Sequence, residues 1–378
     1  MEGKQVGVIG GGQLAWMMAA EAPELGIKLV VQTPNQDDPA VSRADEVIFA
    51  PIDELEGTVK LAQYSDVITF ENEFVDLDTL HKVEKYGGSA CFYPSLATLK
   101  PLLDKYDQRS YLQKIGVSVP KFSLYPTTEH IESDYNFPAV LKARRHGYDG
   151  QGTFIIKDAE NLKWLAKTVP VNELLVEEFI PFKKELGIIA ARNRLGEVAI
   201  YPVTETRQEN QVCIWTIAPA DVRDEVAKSV KAIARTILEK LNVVGVFGIE
   251  FFLTADDRVL VNEIAPRTHN SGHYTLDGCE TSQFAMQLQA VTGMSLGSTK
   301  LKSAGALMVN LLGFEESDSN YQDKRSQILQ IPNSFVHWYG KTSHPGRKLG
   351  HVTVVLNKQE LTQAKSIIEQ IKFIWYGK

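Results

Sequence analysis

The fold is decided by one stretch, Leu141-Lys142-Ala143-Arg144-Arg145-His146-Gly147-Tyr148-Asp149-Gly150-Gln151-Gly152-Thr153, at residues 141–153. Lys142 closes an apolar strand that begins near Ala139, and three glycines then follow within six residues. The backbone N–H groups of such a loop can bind phosphate oxygens while lysine and arginine neutralise the charge. The loop is not a P-loop, because no Gly-Lys-Ser/Thr sequence opens a helix here. The stretch therefore predicts a phosphate site, and a surface hairpin with solvated charges is the alternative.

Two predicted strands further along the chain each carry an acid among apolar neighbours. They span residues 246–253 and 259–263, are joined by a turn at 255–257, and contain Glu250 and Glu263. A buried carboxylate normally needs a cation or hydrogen-bond donors nearby. Two carboxylates with Asn262 on adjacent strands suit magnesium, which prefers oxygen ligands and keeps substrate phosphates in its shell. A structural salt bridge is the alternative.

The loop that follows, at 266–273, places polar side chains beside the acid pair: Arg267, His269, Asn270 and His273. These groups could bind a small anion or stabilise charge in a transition state. The two histidines could instead be zinc ligands, but cysteine and a clear third ligand are lacking, which disfavours that interpretation.

A second glycine-rich stretch lies near the N-terminus and reads Gly10-Gly11-Gly12-Gln13-Leu14-Ala15. It follows an apolar strand at 6–9 and precedes a predicted helix at 13–25. The free N–H groups at the start of such a helix favour an anion. A dinucleotide enzyme would also need an acid at the end of the second strand, where this sequence has Gln32-Thr33. The loop therefore favours a sugar monophosphate, and a turn that merely packs is the alternative.

The order of predicted elements indicates an α/β and α+β protein of three units. Strands and helices alternate at the N-terminus, which predicts a parallel sheet. Strands and short helices follow, with helices predicted at 104–115 and 221–241, and a small β-rich unit with strands near 306–311 and 352–355 ends in a helix. The predicted domains are 1–93, 94–297 and 298–378.

The composition argues against nucleic-acid-binding, disulfide-rich and membrane proteins. The formal net charge of −7 argues against a nucleic-acid partner. The three cysteines are Cys91, Cys213 and Cys279; their spacing makes a disulfide framework or zinc site improbable and fits a reducing compartment. The sequence shows neither a signal peptide nor an apolar run of membrane-spanning length. It therefore predicts a soluble cytoplasmic protein without a membrane partner.

Together these motifs resemble the ATP-grasp superfamily, and most closely the 5-(carboxyamino)imidazole ribonucleotide synthase family within it. The resemblance covers nearly the whole chain and rests on their order. The matching stretches are Gly10–Leu14, Thr69-Phe70-Glu71-Asn72-Glu73, Gly147–Gly152, Asn262-Glu263-Ile264-Ala265-Pro266-Arg267, His269–His273, Tyr339-Gly340-Lys341 and Gly346-Arg347-Lys348-Leu349-Gly350-His351.

The resemblance implies an ATP-grasp fold with a pre-ATP-grasp N-terminal domain and a homodimer. It implies ATP-dependent carboxylation of 5-aminoimidazole ribonucleotide with bicarbonate in purine biosynthesis, through carboxyphosphate, with ATP and magnesium as cofactors. The implied catalytic groups are Tyr148 and Asp149 between the substrates, with Arg267, His273 and Lys142, and the implied magnesium ligands are Glu250 and Glu263. Asp149 is the candidate general base because it is a short acid within the glycine loop. The implied ATP contacts are Lys105, Lys142, Gly147, Tyr148, Asp149, Gly150, Gln151, Gly152, Thr153, Glu177, Glu178, Phe179, Ile180, Glu185, Gln208, Asn262 and Glu263. The implied ribonucleotide and bicarbonate contacts are Gly12, Gln13, Leu14, Glu73, Asn270, Lys341 and Arg347.

The sequence departs from the family pattern at five positions: Ala15, Trp16, Thr153, Gln208 and His344. These departures bear on affinity more than on reaction type. The alternatives are another ATP-grasp ligase, such as a formate-using formyltransferase or a biotin carboxylase subunit, a catalytically silent nucleotide-binding protein, and a nicotinamide dehydrogenase. A biotin carboxylase subunit would need a carrier-domain lysine that this sequence lacks.

Overall fold

The N-terminal unit is a parallel sheet packed on both faces. The computed structural model describes residues 3–86, 90–125, 135, 137–145, 147, 152–168 and 173–377. The first sheet has the strand order β3-β2-β1-β4-β5. Its strands are β1 (Gln5–Ile9), β2 (Lys28–Thr33), β3 (Glu46–Phe49), β4 (Val67–Phe70) and β5 (Cys91–Phe92). Its helices are α1 (Gln13–Glu21), α2 (Leu55–Gln63), α3 (Leu77–Tyr86) and α4 (Leu96–Leu99). Successive side chains of β1 enter different cores, Val8 on the α1 face and Ile9 on the α2 face, which confirms the predicted parallel α/β sheet.

Helix α1 ends earlier than the sequence pattern predicted. The prediction ran to residue 25, whereas the helix ends at Glu21 and a short 3₁₀ turn covers Pro23–Leu25. Proline has no N–H for the helical ladder, so it ends the α-helix and opens the tighter turn. Gly26 then takes a φ of +64° and leads into β2.

A small antiparallel sheet follows, in the order β6-β9-β7-β8. Its strands are β6 (Phe122–Leu124), β7 (Ala139–Ala143), β8 (Thr153–Ile156) and β9 (Leu174–Glu178). Helix α5 (Lys105–Lys114) precedes it, and α6 (Ala159–Thr168) packs against it through Leu162 and Leu165. The carboxylate of Asp104 caps α5 by accepting the backbone N–H of Tyr106 at 2.9 Å.

The largest sheet has nine strands, in the order β15-β14-β10-β12-β13-β16-β18-β17 with β11 paired to β10. Its strands are β10 (Phe182–Arg192), β11 (Val198–Ile200), β12 (Thr204–Glu209), β13 (Val212–Ala218), β14 (Gly245–Thr254), β15 (Val259–Ala265), β16 (Gly305–Leu312), β17 (Ser334–Trp338) and β18 (Lys348–Leu356). The remaining helices are α7 (Asp224–Lys240), α8 (Thr275–Gly278), α9 (Gln283–Thr292), α10 (Gln322–Ile328), α11 (Lys358–Thr362) and α12 (Ala364–Tyr376). Helix α7 buries Val230, Ala234 and Ile237 in the core beneath β10 and β14.

The C-terminal strands continue this sheet. Strand β16 pairs with β13 over Trp215–Ala218, so β16, β18 and β17 extend the same hydrogen-bonded ladder, while α10 and α12 enclose a core of their own. The domain division at residues 93 and 297 stays a prediction.

Candidate functional site

The two acids predicted from the sequence face each other across neighbouring strands. Glu250 on β14 pairs in register with Glu263 on β15, and directly opposed residues of an antiparallel pair lie on one face. Glu250 Oε2 accepts weak hydrogen bonds from Gln208 Nε2 at 3.4 Å and Asn262 Nδ2 at 3.5 Å. Burial, and then the nearby charge of Glu263, raise the pKa of Glu250 to about 7. The positive charge near Glu250 is therefore too small to offset its burial and the charge of Glu263.

Glu263 has a cation of its own. Burial alone would raise its pKa, but the ammonium of Lys105, which ion-pairs with Oε1, and the charge of Lys142 hold the pKa below its usual range. Two carboxylates on adjacent strands are ligands of the type that magnesium accepts, with phosphate oxygens and water completing the shell. The amide oxygen of Asn262 is already bonded to Lys142, and its nitrogen faces Glu250. The described part of the chain contains no group of three or more His, Cys, Asp or Glu side chains arranged for a metal. The acid pair thus fits magnesium that is shared with a substrate, and not an all-protein metal site.

Lys142 is held beside this pair by a buried network. Its Nζ lies 2.8 Å from Glu177 Oε2 and 3.0 Å from Asn262 Oδ1. Burial lowers the pKa of Lys142, an effect that the charge of Glu177 opposes. Burial would raise the pKa of Glu177, yet Arg109 and Lys142 bring it down to about 2. The carboxylate of Glu177 is thus taken up by these cations, so any contact it makes with a nucleotide would use its backbone.

The glycine loop is described only at its ends. Gly152 has a φ of +77°, and a Cβ there would lie 2.7 Å from the Cβ of Ala143. Thr153 opens β8 opposite Lys142, and its carbonyl accepts from Gln211 Nε2 at 3.2 Å. Gly152, the last glycine of the loop, therefore lies tightly against the strand that carries Lys142. The predicted contacts Tyr148, Asp149, Gly150 and Gln151 lie outside the described residues.

The other predicted nucleotide contacts lie where the small sheet leads into β10. Glu178 is exposed, and its Oε1 accepts the Lys121 backbone N–H at 2.8 Å. Phe179 is half-buried and Ile180 is buried, so both belong to the connection between the two sheets. Glu185 shares the face of Glu250, and burial raises its pKa.

The N-terminal glycine loop meets the C-terminal unit. Lys341 Nζ donates to Gln13 Oε1, and the ring of Trp16 packs edge-on against Tyr339 with 6.1 Å between centroids. Burial lowers the pKa of Lys341 to about 8. Arg347, from the same C-terminal loop, donates to the Thr342 carbonyl at 3.1 Å. Residues separated by more than 300 positions in sequence are thereby brought together.

A carboxylate occupies the space in front of α1. Glu71 Oε1 accepts the backbone N–H of Leu14 at 3.3 Å, and a Cβ on Gly12 would lie 2.3 Å from the same oxygen. Burial raises the pKa of Glu71. The helix terminus that the sequence assigned to a phosphate therefore already holds an acid.

Arg267 links the acid pair to the N-terminal unit. Its Nη2 donates to Glu73 Oε1 at 3.0 Å and its Nε donates to Oε2, a bidentate pair. A cleft of about 290 Å³ lies alongside and is lined by Glu73, Lys105, Gly147 and Glu263, among others. The cleft thus joins the predicted phosphate groups to a residue predicted for the ribonucleotide.

In the rest of the loop at 266–273, His269 lies beside the acid pair, with its Nε2 3.7 Å from Glu250 Oε1, while Asn270 and His273 bond to other elements. Asn270 and Asn310 exchange side-chain hydrogen bonds at 2.7 and 3.1 Å. His273 is fully buried, its Nδ1 lies 3.2 Å from Gln283 Nε2, and burial lowers its pKa far below its usual range. A buried neutral ring holds the loop in place, and direct contact of His273 with bicarbonate stays a prediction.

Three family models match: the ribonucleotide synthetase preATP-grasp domain at 3–100, the ATP-grasp domain at 110–284 and the phosphoribosylaminoimidazole carboxylase C-terminal domain at 306–365. The chain is 51% identical over 384 residues to an N5-carboxyaminoimidazole ribonucleotide synthase of Synechocystis sp., covering 98% of both chains. The chain belongs to the N5-carboxyaminoimidazole ribonucleotide synthase family.

Solved structures of this family agree over the full length. A synthetase in complex with ADP matches with a TM-score of 0.90 at 32% identity, covering 100% of this chain and 98% of the other. The synthase of Aspergillus clavatus with ADP and 5-aminoimidazole ribonucleotide matches with a TM-score of 0.90 at 29% identity, covering 100% of both. These matches confirm the predicted ATP-grasp fold with its parallel N-terminal unit and C-terminal β unit.

Three groups at the synthase site escaped the sequence analysis: Arg109, Glu71 and Asp104. Arg109 lies in the helix predicted at 104–115, with no sequence feature that distinguishes it from an exposed arginine. Glu71 belongs to the matching stretch at 69–73, of which only Glu73 was predicted as a contact. Asp104 binds Arg144 Nη2 at 2.9 Å. Its only sequence signal was an acid at the first residue of the helix predicted at 104–115, which indicates a cap and not a partner for the glycine loop. In the described part of the chain, no helix combines the length and apolar character that crossing a bilayer requires.

Proposed function

We propose that this chain carboxylates the amine of 5-aminoimidazole ribonucleotide with ATP and bicarbonate, giving the carboxyamino product, ADP and phosphate, in de novo purine biosynthesis. The observation that carries this proposal is the cleft lined by Glu263, Lys105 and Glu73, because residues predicted to contact ATP and a residue predicted to contact the ribonucleotide line the same cleft. The family relatives support the same reaction by their names and bound ligands.

The phosphate end would be formed by Lys142, Lys105 and the backbone of the glycine loop. Bicarbonate is a poor electrophile because hydroxide is a bad leaving group, so the γ-phosphoryl group is first transferred to it as carboxyphosphate. Glu250 and Glu263 would hold magnesium, which when bound offsets charge on the transferring phosphoryl group. Lys142 would supply a fixed positive charge at the same place.

The ribonucleotide would lie between the N-terminal and C-terminal units. Lys341 and Arg347 supply cationic charge there, and Gly12–Leu14 with Glu73 supply hydrogen-bonding groups. Because Glu71 already occupies the start of α1, the phosphate of the ribonucleotide is expected on the Lys341 side of the loop.

Carboxyphosphate must be protected from water until it meets the amine. Closure of the glycine loop at 147–153 is the proposed means, and Asp149 is the proposed general base because it is a short acid in that loop. Arg267 and Asn270 would lie near the bicarbonate-derived group. A homodimer and a cytoplasmic location are further parts of the proposal, and they are supported by the family resemblance.

The test is ADP release in bicarbonate buffer with magnesium, measured with and without 5-aminoimidazole ribonucleotide. We expect strong stimulation by the ribonucleotide and loss of release when magnesium is chelated. Stimulation by glycinamide ribonucleotide with formate instead would indicate a different ATP-grasp ligase. ATP binding without any stimulated turnover would contradict the proposal and favour a catalytically silent nucleotide-binding protein.

A further inference from the structure

Arg109 is a buried cation at the junction of the two sheets that form the nucleotide cleft. Its side chain is 2% exposed, and its Nε donates to Glu177 Oε1 at 2.6 Å. Its Nη2 donates to the backbone carbonyl of Asn262. Glu177 belongs to β9 of the small sheet and Asn262 to β15 of the large one. A single guanidinium therefore joins the two sheets.

Arg109 is one of three α5 residues that bind consecutive residues of β15. Lys105 pairs with Glu263, while Gln108 donates to the carbonyl and accepts the N–H of Ile264 at 3.1 and 2.9 Å. Positions 105, 108 and 109 lie on one face of the helix by their i, i+3, i+4 spacing. Helix α5 is thus docked along the strand that carries Glu263, and Arg109 alone of these three also contacts β9.

Arg109 and Lys142 have the same two partners. Glu177 accepts Arg109 at Oε1 and Lys142 at Oε2, at 2.6 and 2.8 Å. Asn262 accepts Arg109 at its backbone carbonyl and Lys142 at Oδ1. These four residues, which we call the cross-sheet network, fix the position of the Lys142 ammonium from two sides.

Charge balance explains why the network needs two cations for one acid. Glu177 is buried, and a buried carboxylate without a counter-charge is strongly unfavourable. The charge of Arg109 is by itself sufficient to balance the charge of Glu177, so Lys142 is an additional positive charge. Without Arg109, Lys142 would have to neutralise Glu177 itself, and its charge would no longer be free for a phosphate.

We propose that Arg109 is a positioning residue for phosphoryl transfer, which keeps the charge of Lys142 available to the nucleotide phosphates by neutralising Glu177 and bracing both sheets. This inference rests on the proposed role of Lys142 at the phosphates. Lysine cannot replace Arg109 fully, because the fork of the guanidinium reaches two acceptors in fixed geometry, whereas one ammonium reaches them less well.

The first experiment compares Arg109→Lys and Arg109→Gln with the wild type. We expect kcat/KM for ATP to fall on the order of 10-fold for lysine and 100-fold for glutamine, as for a displaced catalytic group. The matched control is Thr98→Val, which removes the buried hydrogen bond from Thr98 to the Leu241 carbonyl at 3.0 Å, outside the cleft. It is expected to lower the melting temperature while changing kcat/KM by less than about threefold. An equal loss of activity in the control would overturn the proposal.

A double-mutant cycle with Lys142→Met separates positioning from general stability. If Arg109 acts through Lys142, Arg109→Lys should change the rate by less than about threefold once Lys142 is absent. Additive losses would show that Arg109 acts independently of Lys142. The lysine variant carries the cycle even if the glutamine variant does not fold.

The Kd for Mg·ADP is also measured by calorimetry for the wild type, the two single variants and the double variant of the same cycle. Absence of ribonucleotide-stimulated ADP release from the wild type would count against the proposed function and leave this readout intact. Coupled losses of Mg·ADP affinity in the two variants would still support the role of Arg109, and independent losses would refute it.

Discussion

At the scale of single residues, Glu250 and Glu263 are neighbours with different surroundings. Lys105 pairs with Glu263, whereas among the described residues Glu250 receives weak bonds from two amides and lies 3.7 Å from His269 Nε2, whose pKa burial lowers to about 4. The two acids lie directly opposite each other on paired strands, so the strands do not distinguish them. Their surroundings differ because Lys105 of α5 contacts only Glu263 of the two. This asymmetry suits a site in which one carboxylate is permanently charged and the other gains its cation with the substrate.

Glu263→Gln tests the metal assignment. The amide keeps the size of the side chain but loses its charge, so we expect magnesium-dependent ADP release to fall at least about 100-fold. The fold should be retained, as judged by circular dichroism. The matched control is Glu280→Gln, at an exposed acid outside the cleft. Unchanged magnesium dependence in the Glu263 variant would remove this residue as a ligand.

At the scale of elements, the hairpin of β7 and β8 carries both Lys142 and the returning end of the glycine loop. Gly152 allows the return because its φ is positive and it has no Cβ to meet Ala143. The motif was visible in the sequence, yet the reason for this particular glycine is a contact with the opposite strand.

Gly152→Ala should weaken ATP binding and lower stability more than Gly116→Ala. The two glycines have φ values of +77° and +78°, but a Cβ at Gly116 meets nothing within 4 Å. The backbone conformation alone costs about 1 kcal/mol in both variants, and the clash with Ala143 adds to it only in the first. Urea unfolding and KM for ATP measure the two effects. Equal losses in both variants would show that the contact with Ala143 has no effect.

At the scale of the whole molecule, neutral buried histidines make stability depend on pH. Burial and the charge of Lys348 lower the pKa of His273 far below its usual range, and burial does the same for His351. The unfolded chain therefore binds more protons than the folded one below about pH 6.5. Their stabilising contribution is present above that pH and is lost as the pH falls toward the folded pKa. Glu250, with a pKa raised to about 7, acts with the opposite sign in this window.

A difference measurement isolates His273. In chelator, the free energy of unfolding of the wild type should fall by about 1.4 kcal/mol relative to His273→Gln between pH 7.5 and 5.5. Phe284→Leu is the control, because Phe284 packs against the same ring, 5.7 Å between centroids, and does not titrate. A pH-independent difference between wild type and His273→Gln would contradict the burial of a neutral ring.

The sequence by itself determined the architecture and the residue types of the cleft. The alternation of strands and helices predicted the parallel sheet of the N-terminal unit. The single acids within apolar segments identified β14 and β15 as part of a site, because a buried carboxylate needs a partner. The ends of helices were predicted less accurately. Helix α1 ends at Glu21, just before Pro23, whereas the apolar pattern predicted an end at residue 25. The order of motifs was specific enough to identify the family.

Tertiary structure alone decided which polar side chains contact each other. The pairing of Arg267 with Glu73 spans 194 positions and that of Lys341 with Gln13 spans 328, so no local pattern could reveal either. Arg109 and Glu71 were missed for the same reason: an arginine in a polar helix and an acid after a strand look exposed until another element covers them. Which side chain lies in a cleft depends on how separate elements pack, and packing is a property of the assembled chain and not of any one segment.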